Sequence, residues 1–157
     1  MDTEISIAHL IHKGGVYADV EGSSPEEIYK KISGIIPLPK NISPDAVYKA
    51  LCERERVMST AVGNEIALPH AQHSNLKSKA DEAICVVYLK NPIDMHAPDD
   101  RFVSVMFVLL THDAQSHLKI LSMLATLLRK DEFKKLLESH ANESVLLDAA
   151  EKIIHGN

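Results

Sequence analysis

The sequence predicts an α/β fold: a single domain over residues 1–157, in which helices flank a small mixed β-sheet. Apolar residues change along the chain between helical spacing and the continuous runs typical of buried strands. Two serine-proline pairs, Ser24-Pro25 and Ser43-Pro44, have the form of helix starts. A length of 157 residues is enough for one domain to enclose a core without disulfides.

The first half of the chain carries short elements. Ser24 is the expected N-cap of a helix, because Pro25 suits the first helical position and Glu27 can complete a capping box. The predicted elements are a helix from Ile5 to the glycine pair 14–15, a strand at 16–20, a helix after Ser24, a connector at 35–42 and a helix after Ser43.

The second half carries longer apolar runs. The predicted elements are an irregular stretch at 58–73 and buried strands at 83–89 and 103–110. A helix that begins after Asp113 or Ser116 follows, and then two further helices at 131–139 and 143–154. Pro92 is expected to close the first of these strands, because proline cannot donate to a sheet ladder. In the first of the helices, apolar spacing predicts a buried face made of Leu118, Leu121, Leu124, Ala125 and Leu128.

Composition excludes several classes of function. The formal net charge is −5, from 17 Lys+Arg and 22 Asp+Glu, and aromatic residues make up only 4%, so we expect no nucleic-acid partner. The longest apolar run, 103–110, is far too short for a membrane helix, so no membrane insertion is expected. Cys52 and Cys85 have no metal-site spacing, and the acidic N-terminus does not resemble a secretory signal. These features predict a soluble, cytoplasmic protein.

His70 is the strongest candidate for chemistry among the nine histidines. It follows Pro69, whose ring fixes its own φ and favours an extended Leu68, so the histidine leaves a stiff backbone in a defined direction. With an ordinary pKa near 6.5 the imidazole is largely neutral in the cytoplasm, and its free nitrogen is a nucleophile. A loop histidine without a role is the alternative that spacing leaves open.

The residues around His70 resemble a known signature. The similar positions are Arg54-Glu55, Ser59-Thr60, Gly63, the run 66–70 (Ile-Ala-Leu-Pro-His) and, further on, Pro92-Ile93-Asp94, Asp99, 103–110 and His117-Leu118. The pattern is similar to that of the fructose/mannitol-type enzyme IIA domains of the bacterial sugar phosphotransferase system, which include the stand-alone nitrogen-regulatory enzyme IIA proteins. The resemblance covers roughly residues 5–154 and implies the mannitol-type enzyme IIA fold.

The resemblance implies that His70 accepts a phosphoryl group from the phosphohistidine of a small carrier protein such as HPr. The family has an arginine sixteen residues before this histidine, which selects Arg54 here. An arginine suits the role, because its planar fork can hold a dianionic phosphoryl group through two hydrogen bonds. The second family histidine falls on His117, implied to be a neutral hydrogen-bond donor or orienting partner. A solvated charge at Arg54 and a surface histidine at His117 are the alternatives.

Several neighbouring positions have expected supporting roles. Ser59 and Thr60 are expected either to bond phosphoryl oxygens or to hold the turn, and Gly63 to provide a backbone conformation that a side chain would not permit. Many relatives have a second glycine where this chain has Glu65, and an Asp-Gly turn where it has Asp99-Asp100. These departures leave the rate and the choice of donor open.

No cofactor or metal is expected, because the chain has no nucleotide-binding glycine loop and transfer between protein histidines needs neither. A metal-dependent hydrolase is a remote alternative, in which His70 and His73 would bind a metal together with His112 or His117 and an aspartate.

Two outputs remain within the family. A regulatory enzyme IIA signals to protein targets through its phosphorylation state, whereas a sugar-specific one passes the group to a IIB component. The chain contains no IIB-like cysteine motif, and Pro92-Ile93-Asp94 also favours the nitrogen-regulatory type.

Overall fold

The computed structural model describes residues 6–71 and 76–156, which are organised around a five-stranded sheet. Its strands are β1 (Val16–Val20), β2 (Ala61–Gly63), β3 (Ile66–Ala67), β4 (Ala83–Ile93) and β5 (Val103–Leu110). The spatial order is β1-β4-β5-β3-β2. Two pairings are parallel (β1 with β4, β3 with β5) and two antiparallel (β4 with β5, β2 with β3), which confirms the predicted mixed sheet.

Helices cover both faces of this sheet. They are α1 (Ile7–Gly14), α2 (Pro25–Ser33), α3 (Pro44–Val57), α4 (Ala114–Leu128), α5 (Asp131–Glu138) and α6 (Glu143–His155). Side chains alternate along β4, so that Cys85, Val87 and Leu89 pack with α2 and α3, whereas Ile84, Val86 and Tyr88 pack with the other four helices. The result is a layer of helices on each side of the sheet, and it confirms the predicted α/β class.

The predicted helix starts after the serine-proline pairs are confirmed. Ser24 Oγ accepts a hydrogen bond from Glu27 N at 3.2 Å, and Ser43 Oγ accepts from Ala46 N at 3.1 Å. The Glu27 carboxylate reaches back to the N–H of Ser23 rather than to that of the N-cap, so the capping box is shifted by one residue. Asp113, not Ser116, caps α4. The predicted start of the first helix at Ile5 lies outside the described residues.

Two strands were missed in the stretch expected to be irregular. β2 and β3 form a hairpin whose turn, Asn64-Glu65, has φ values of 54° and 67°. Two-residue hairpin turns use positive φ values and usually contain glycine, which is absent from these two positions. The strands are only three and two residues long, and β3 is stabilised by its parallel pairing with β5. Residues 72–75 of the stretch lie outside the described part.

The expectation that Pro92 closes the strand at 89 is wrong, because β4 continues to Ile93. Proline is tolerated here, since the ladder with β5 is irregular between Tyr88 and Ile93 and the pairing with β1 reaches only Leu89.

The predicted buried face of α4 is also wrong in part. Its buried apolar residues are Ile120, Leu124 and Leu127, whereas Leu118 is 67% exposed and Ala125 is exposed. Leu124 of the expected face is buried as predicted, and Leu121 and Leu128 are partly buried against the same core. The expected and observed faces both have helical spacing, because α4 has apolar residues on more than one side. Spacing therefore could not decide which set faces the sheet.

Candidate functional site

His70 lies just beyond the end of β3, on backbone joined to the centre of the sheet. It forms a parallel bridge with Leu109 of β5, whose N–H donates to the carbonyl of Pro69 at 2.8 Å. The ring nitrogen Nδ1 is 3.1 Å from the carbonyl oxygen of Leu68, and Arg54 donates its Nε–H to Nε2 at 3.1 Å. A carbonyl oxygen can only accept, so these bonds assign the hydrogen to Nδ1 and leave a lone pair on Nε2.

Arg54 reaches His70 from the last turn of α3. A second of its five N–H groups, on Nη1, donates to the carbonyl of Met58 at 2.7 Å. Met58 follows the C-terminus of α3, an end that favours a positive charge. The guanidinium is thus fixed between the helix end and the imidazole, and the spacing of sixteen residues selected the arginine that contacts the histidine.

His117 lies in the first turns of α4, with its ring centroid 4.4 Å from that of His70 at an interplanar angle of 48°. Its Nδ1 is 3.3 Å from the hydroxyl of Thr111. Burial, followed by the nearby His70 and the Arg54 charge, lowers the pKa of His117 to about 4. Burial is also the main cause that lowers the pKa of His70, with the Arg54 charge acting in the same direction. Both rings are therefore neutral near pH 7.

The hydroxyls of Ser59 and Thr60 hold the turn between α3 and β2. Ser59 Oγ donates to the carbonyl of Met95 and accepts from Ala61 N at 3.1 Å, and Thr60 Oγ1 donates to the Glu55 carboxylate at 2.7 Å. Each hydroxyl has one hydrogen, which is used within the protein. Of the two expected roles, the structure therefore shows the one in the turn.

Gly63 ends β2 with φ +98°, and an added Cβ would lie 3.2 Å from the Asp99 carboxylate. This is a conformation that residues with a side chain rarely adopt. Asp99 accepts the N–H of Asn64 at 2.8 Å, so the close approach closes the hairpin that precedes Pro69.

The two departures from the family pattern both have left-handed backbone, with φ 67° at Glu65 and 60° at Asp100. The Glu65 carboxylate pairs with the Arg101 guanidinium. Glu65 and Arg101 line a cavity of about 190 Å³ beside α5. None of the side chains of His70, Arg54 and His117 lines this cavity. The negative charge is thus paired at the start of β3 rather than among the site side chains.

Glu55 follows Arg54 in the motif, and its role is one that the sequence did not predict. Its carboxylate accepts three hydrogen bonds: from the Tyr29 hydroxyl at 2.6 Å, and from the backbone N–H and the hydroxyl of Thr60 at 2.8 and 2.7 Å. The only signal in the sequence is its position next to Arg54. Adjacent helix residues point in different directions, which explains why one side chain faces His70 and the other faces the turn.

The remote metal-site alternative receives no support from the geometry. Within residues 6–71 and 76–156, no group of three or more histidine, cysteine or acidic side chains is arranged to hold a metal ion. His73, one of the proposed ligands, lies outside those ranges. In the described part of the chain, no helix combines the length and the apolar character needed to cross a bilayer.

The arrangement suits nucleophilic attack on an anionic, electrophilic group. A neutral imidazole presents the Nε2 lone pair, a fixed guanidinium lies beside it, and the neutral ring of His117 lies 4.4 Å away, measured between ring centroids. Positive charge and hydrogen-bond donors around a nucleophile are what phosphoryl transfer requires.

Comparisons with known proteins agree with this chemistry. The family model for "Phosphoenolpyruvate-dependent sugar phosphotransferase system, EIIA 2" matches residues 9–152. A nitrogen regulatory protein of Pseudomonas aeruginosa is 27% identical over 156 residues, covering 97% of this chain and 99% of the relative.

Solved structures show the same fold. The nitrogen regulatory protein IIA-Ntr of Neisseria meningitidis superposes with a TM-score of 0.79 at 23% identity, covering 92% of this chain and 98% of that chain. IIA mannitol of Escherichia coli superposes with a TM-score of 0.64 at 14% identity, covering 87% and 95%. The mannitol-type fold is thus confirmed. Given the match over most of its length, the chain belongs to the EIIA 2 family of the phosphoenolpyruvate-dependent sugar phosphotransferase system.

Proposed function

We propose that the protein is a cytoplasmic phosphocarrier that accepts a phosphoryl group on Nε2 of His70 from the phosphohistidine of an HPr-like protein. The observation that carries the proposal is the pair of hydrogen bonds on the His70 ring. Nδ1 faces a carbonyl and Nε2 faces an N–H donor, so Nε2 is the nitrogen with an available lone pair.

The step is an exchange between two ring nitrogens. The Nε2 lone pair forms a bond to phosphorus while the bond between phosphorus and the donor's ring nitrogen breaks, and the donor nitrogen keeps that electron pair. No proton has to move at His70, because its hydrogen stays on Nδ1, where it is donated to the Leu68 carbonyl. The donor arrives already activated, so the site has to provide in-line positioning and charge stabilisation.

Arg54 and His117 have separate parts in this step. The Arg54 Nε–H leaves the Nε2 lone pair as the phosphoryl group arrives and donates to a phosphoryl oxygen instead. Such a charge-assisted hydrogen bond contributes about 1.5 to 3 kcal/mol. His117, kept neutral by burial, can donate its Nε2–H to a second oxygen while Nδ1 bonds Thr111.

Among the outputs, the regulatory one has the better support. The nitrogen regulatory protein of Pseudomonas aeruginosa is similar over 99% of its own length, which favours a regulatory enzyme IIA with protein targets. The second candidate is a sugar-specific enzyme IIA that passes the group to a IIB component, and it rests on the family description.

The decisive experiment combines the protein with phosphoenolpyruvate, enzyme I and HPr. One acid-labile, base-stable phosphate per chain is expected, and His70→Ala should abolish it. His96→Ala is the matched control, since that side chain is 89% exposed and outside the site. Full labelling of the His70 variant would refute the assignment. Adding fructose- or mannitol-type IIB domains then separates the outputs, because loss of label to a IIB domain would favour the sugar-specific candidate.

A further inference from the structure

We propose that Glu55 is a positioning residue that fixes the hydrogen of His70 on Nδ1 and thereby keeps Nε2 available as the nucleophile. The inference rests on the proposed function of His70. Glu55 does not touch the His70 ring in any hydrogen bond of the described residues; it acts through Thr60 and Leu68.

The first link is the carboxylate itself. Each oxygen of Glu55 has a defined partner: one accepts the Thr60 N–H at 2.8 Å, and the other accepts the hydroxyls of Thr60 at 2.7 Å and Tyr29 at 2.6 Å. Tyr29 is fully buried in α2, and Thr60 is 6% exposed. The carboxylate therefore fixes the position of Thr60 from two directions in a region with little water.

The second link joins this turn to the histidine. The Thr60 carbonyl accepts the N–H of Leu68 at 2.9 Å, and the Leu68 carbonyl lies 3.1 Å from Nδ1 of His70. The same residue, Leu68, thus receives its position from Thr60 and gives the imidazole its acceptor. A displaced Thr60 would move the carbonyl that determines which nitrogen carries the hydrogen.

The position of that hydrogen decides whether the ring can react. If Nε2 carried it, the reactive lone pair would be lost and two N–H groups, on Arg54 Nε and His70 Nε2, would face each other. Arg54 and Glu55 are consecutive residues of α3, so one helix carries both the cation at Nε2 and the carboxylate that acts on Nδ1. The C-terminal end of α3 therefore determines the hydrogen-bond partners of both nitrogens of the His70 ring.

Two substitutions separate reach from charge. Glu55→Asp keeps the charge but shortens the side chain by one methylene, so it cannot hold Thr60 in place. Glu55→Gln keeps the length, and its amide can still accept from Thr60 N–H through oxygen and donate to the two hydroxyl oxygens. The matched control is Glu53→Gln, an exposed carboxylate on the same helix.

The readout is the ¹⁵N chemical shifts of the His70 ring, measured on the unphosphorylated protein, together with the rate of phosphoryl transfer from phospho-HPr. In the wild type, Nδ1 is expected to have the shift of a protonated nitrogen. Glu55→Asp should lose this as the majority form and slow transfer by about 10- to 100-fold. Glu55→Gln and Glu53→Gln should keep the wild-type shifts.

The ¹⁵N shifts and the transfer rate of the Glu55 variants test the proposed role of Glu55. Wild-type shifts and rate in a folded Glu55→Asp protein would overturn the proposal, as would equal changes in the Asp and Gln variants. If circular dichroism shows that the Asp variant does not fold, Thr60→Val replaces it, because this substitution removes only the Thr60 hydroxyl. The ¹⁵N chemical shifts of the His70 ring should then change in the direction expected for Glu55→Asp. The ¹⁵N measurement needs no phosphate, so failure of this proposal is distinguishable from failure of His70 as the acceptor.

Discussion

Arg54 donates its Nε–H directly to Nε2 of His70, across 3.1 Å and sixteen residues of sequence. The lone pair that we propose as the nucleophile is therefore hydrogen-bonded in the resting protein, and an incoming phosphoryl group has to displace this bond. In the proposed transfer, the displaced N–H would donate to one of the oxygens that arrive. One guanidinium can thus hold the empty ring in place and then stabilise the charged product.

Arg54→Lys tests the fork geometry. A lysine ammonium keeps the charge, but it cannot contact His70 Nε2 and the Met58 carbonyl at once as the guanidinium does. We expect the transfer rate to fall by about 100-fold or more, while the free energy of unfolding changes by less than about 1.5 kcal/mol. Arg56→Lys, on the exposed side of α3, is the control. A rate close to wild type would remove Arg54 from the site.

The low pKa of His117 predicts a pH dependence of stability. Its pKa falls from 6.5 to about 4 on folding, so between these values the unfolded state binds more protons. The contribution of His117 to the free energy of unfolding should therefore be complete above pH 6.5 and should decrease as the pH falls toward 4. Urea unfolding at pH 7 and pH 5 should show a smaller decrease for His117→Gln than for the wild type. Equal decreases would contradict the buried, neutral state of this ring.

Ser59→Ala distinguishes a turn residue from a phosphoryl ligand. The substitution removes a donor to the Met95 carbonyl and an acceptor for Ala61 N. We expect the free energy of unfolding to fall by about 1 to 3 kcal/mol, whereas the phosphorylated fraction at saturation stays at one per chain. A large fall in transfer rate with unchanged stability would instead identify the hydroxyl as a ligand of the phosphoryl group.

Two leucines of the face expected for α4 should respond differently to truncation, because only one of them is buried. Leu124 is fully buried, so Leu124→Ala should cost about 2 to 5 kcal/mol of stability. Leu118 is 67% exposed, so Leu118→Ala should change stability by no more than about 0.5 kcal/mol. Thermal or urea unfolding of the pair measures this difference. A larger cost at position 118 would mean that the helix is rotated from the orientation described.

Features with strong local causes could be predicted from the sequence. Ser24 and Ser43 cap helices because the partner N–H groups are three residues away, and β5 matches its apolar run. The contact of Arg54 with His70 came from the family spacing, since no local pattern links a helix end to a strand end.

Features that depend on distant partners could not be predicted. β3 has two residues and is stabilised by pairing with β5, which lies almost forty positions away in the chain. The contacts of Glu55 with Tyr29 and Thr60 depend on how α2 and α3 meet, and apolar spacing contains no information on buried polar contacts. The prediction of the orientation of α4 was wrong in part for a related reason. The helix has apolar residues on more than one side, and only its packing against the sheet determines which of them are buried.

The bridge between His70 and Leu109 has a consequence for how the protein would signal. The backbone that carries the imidazole is bonded to a strand with neighbours on both sides, so it has little freedom to shift when the ring is modified. A receiving protein would then recognise two added negative charges at a fixed place on the surface, and not a change in the conformation of the phosphorylated protein. Binding partners of that kind should be sensitive to ionic strength and should tolerate mutations far from the modified ring.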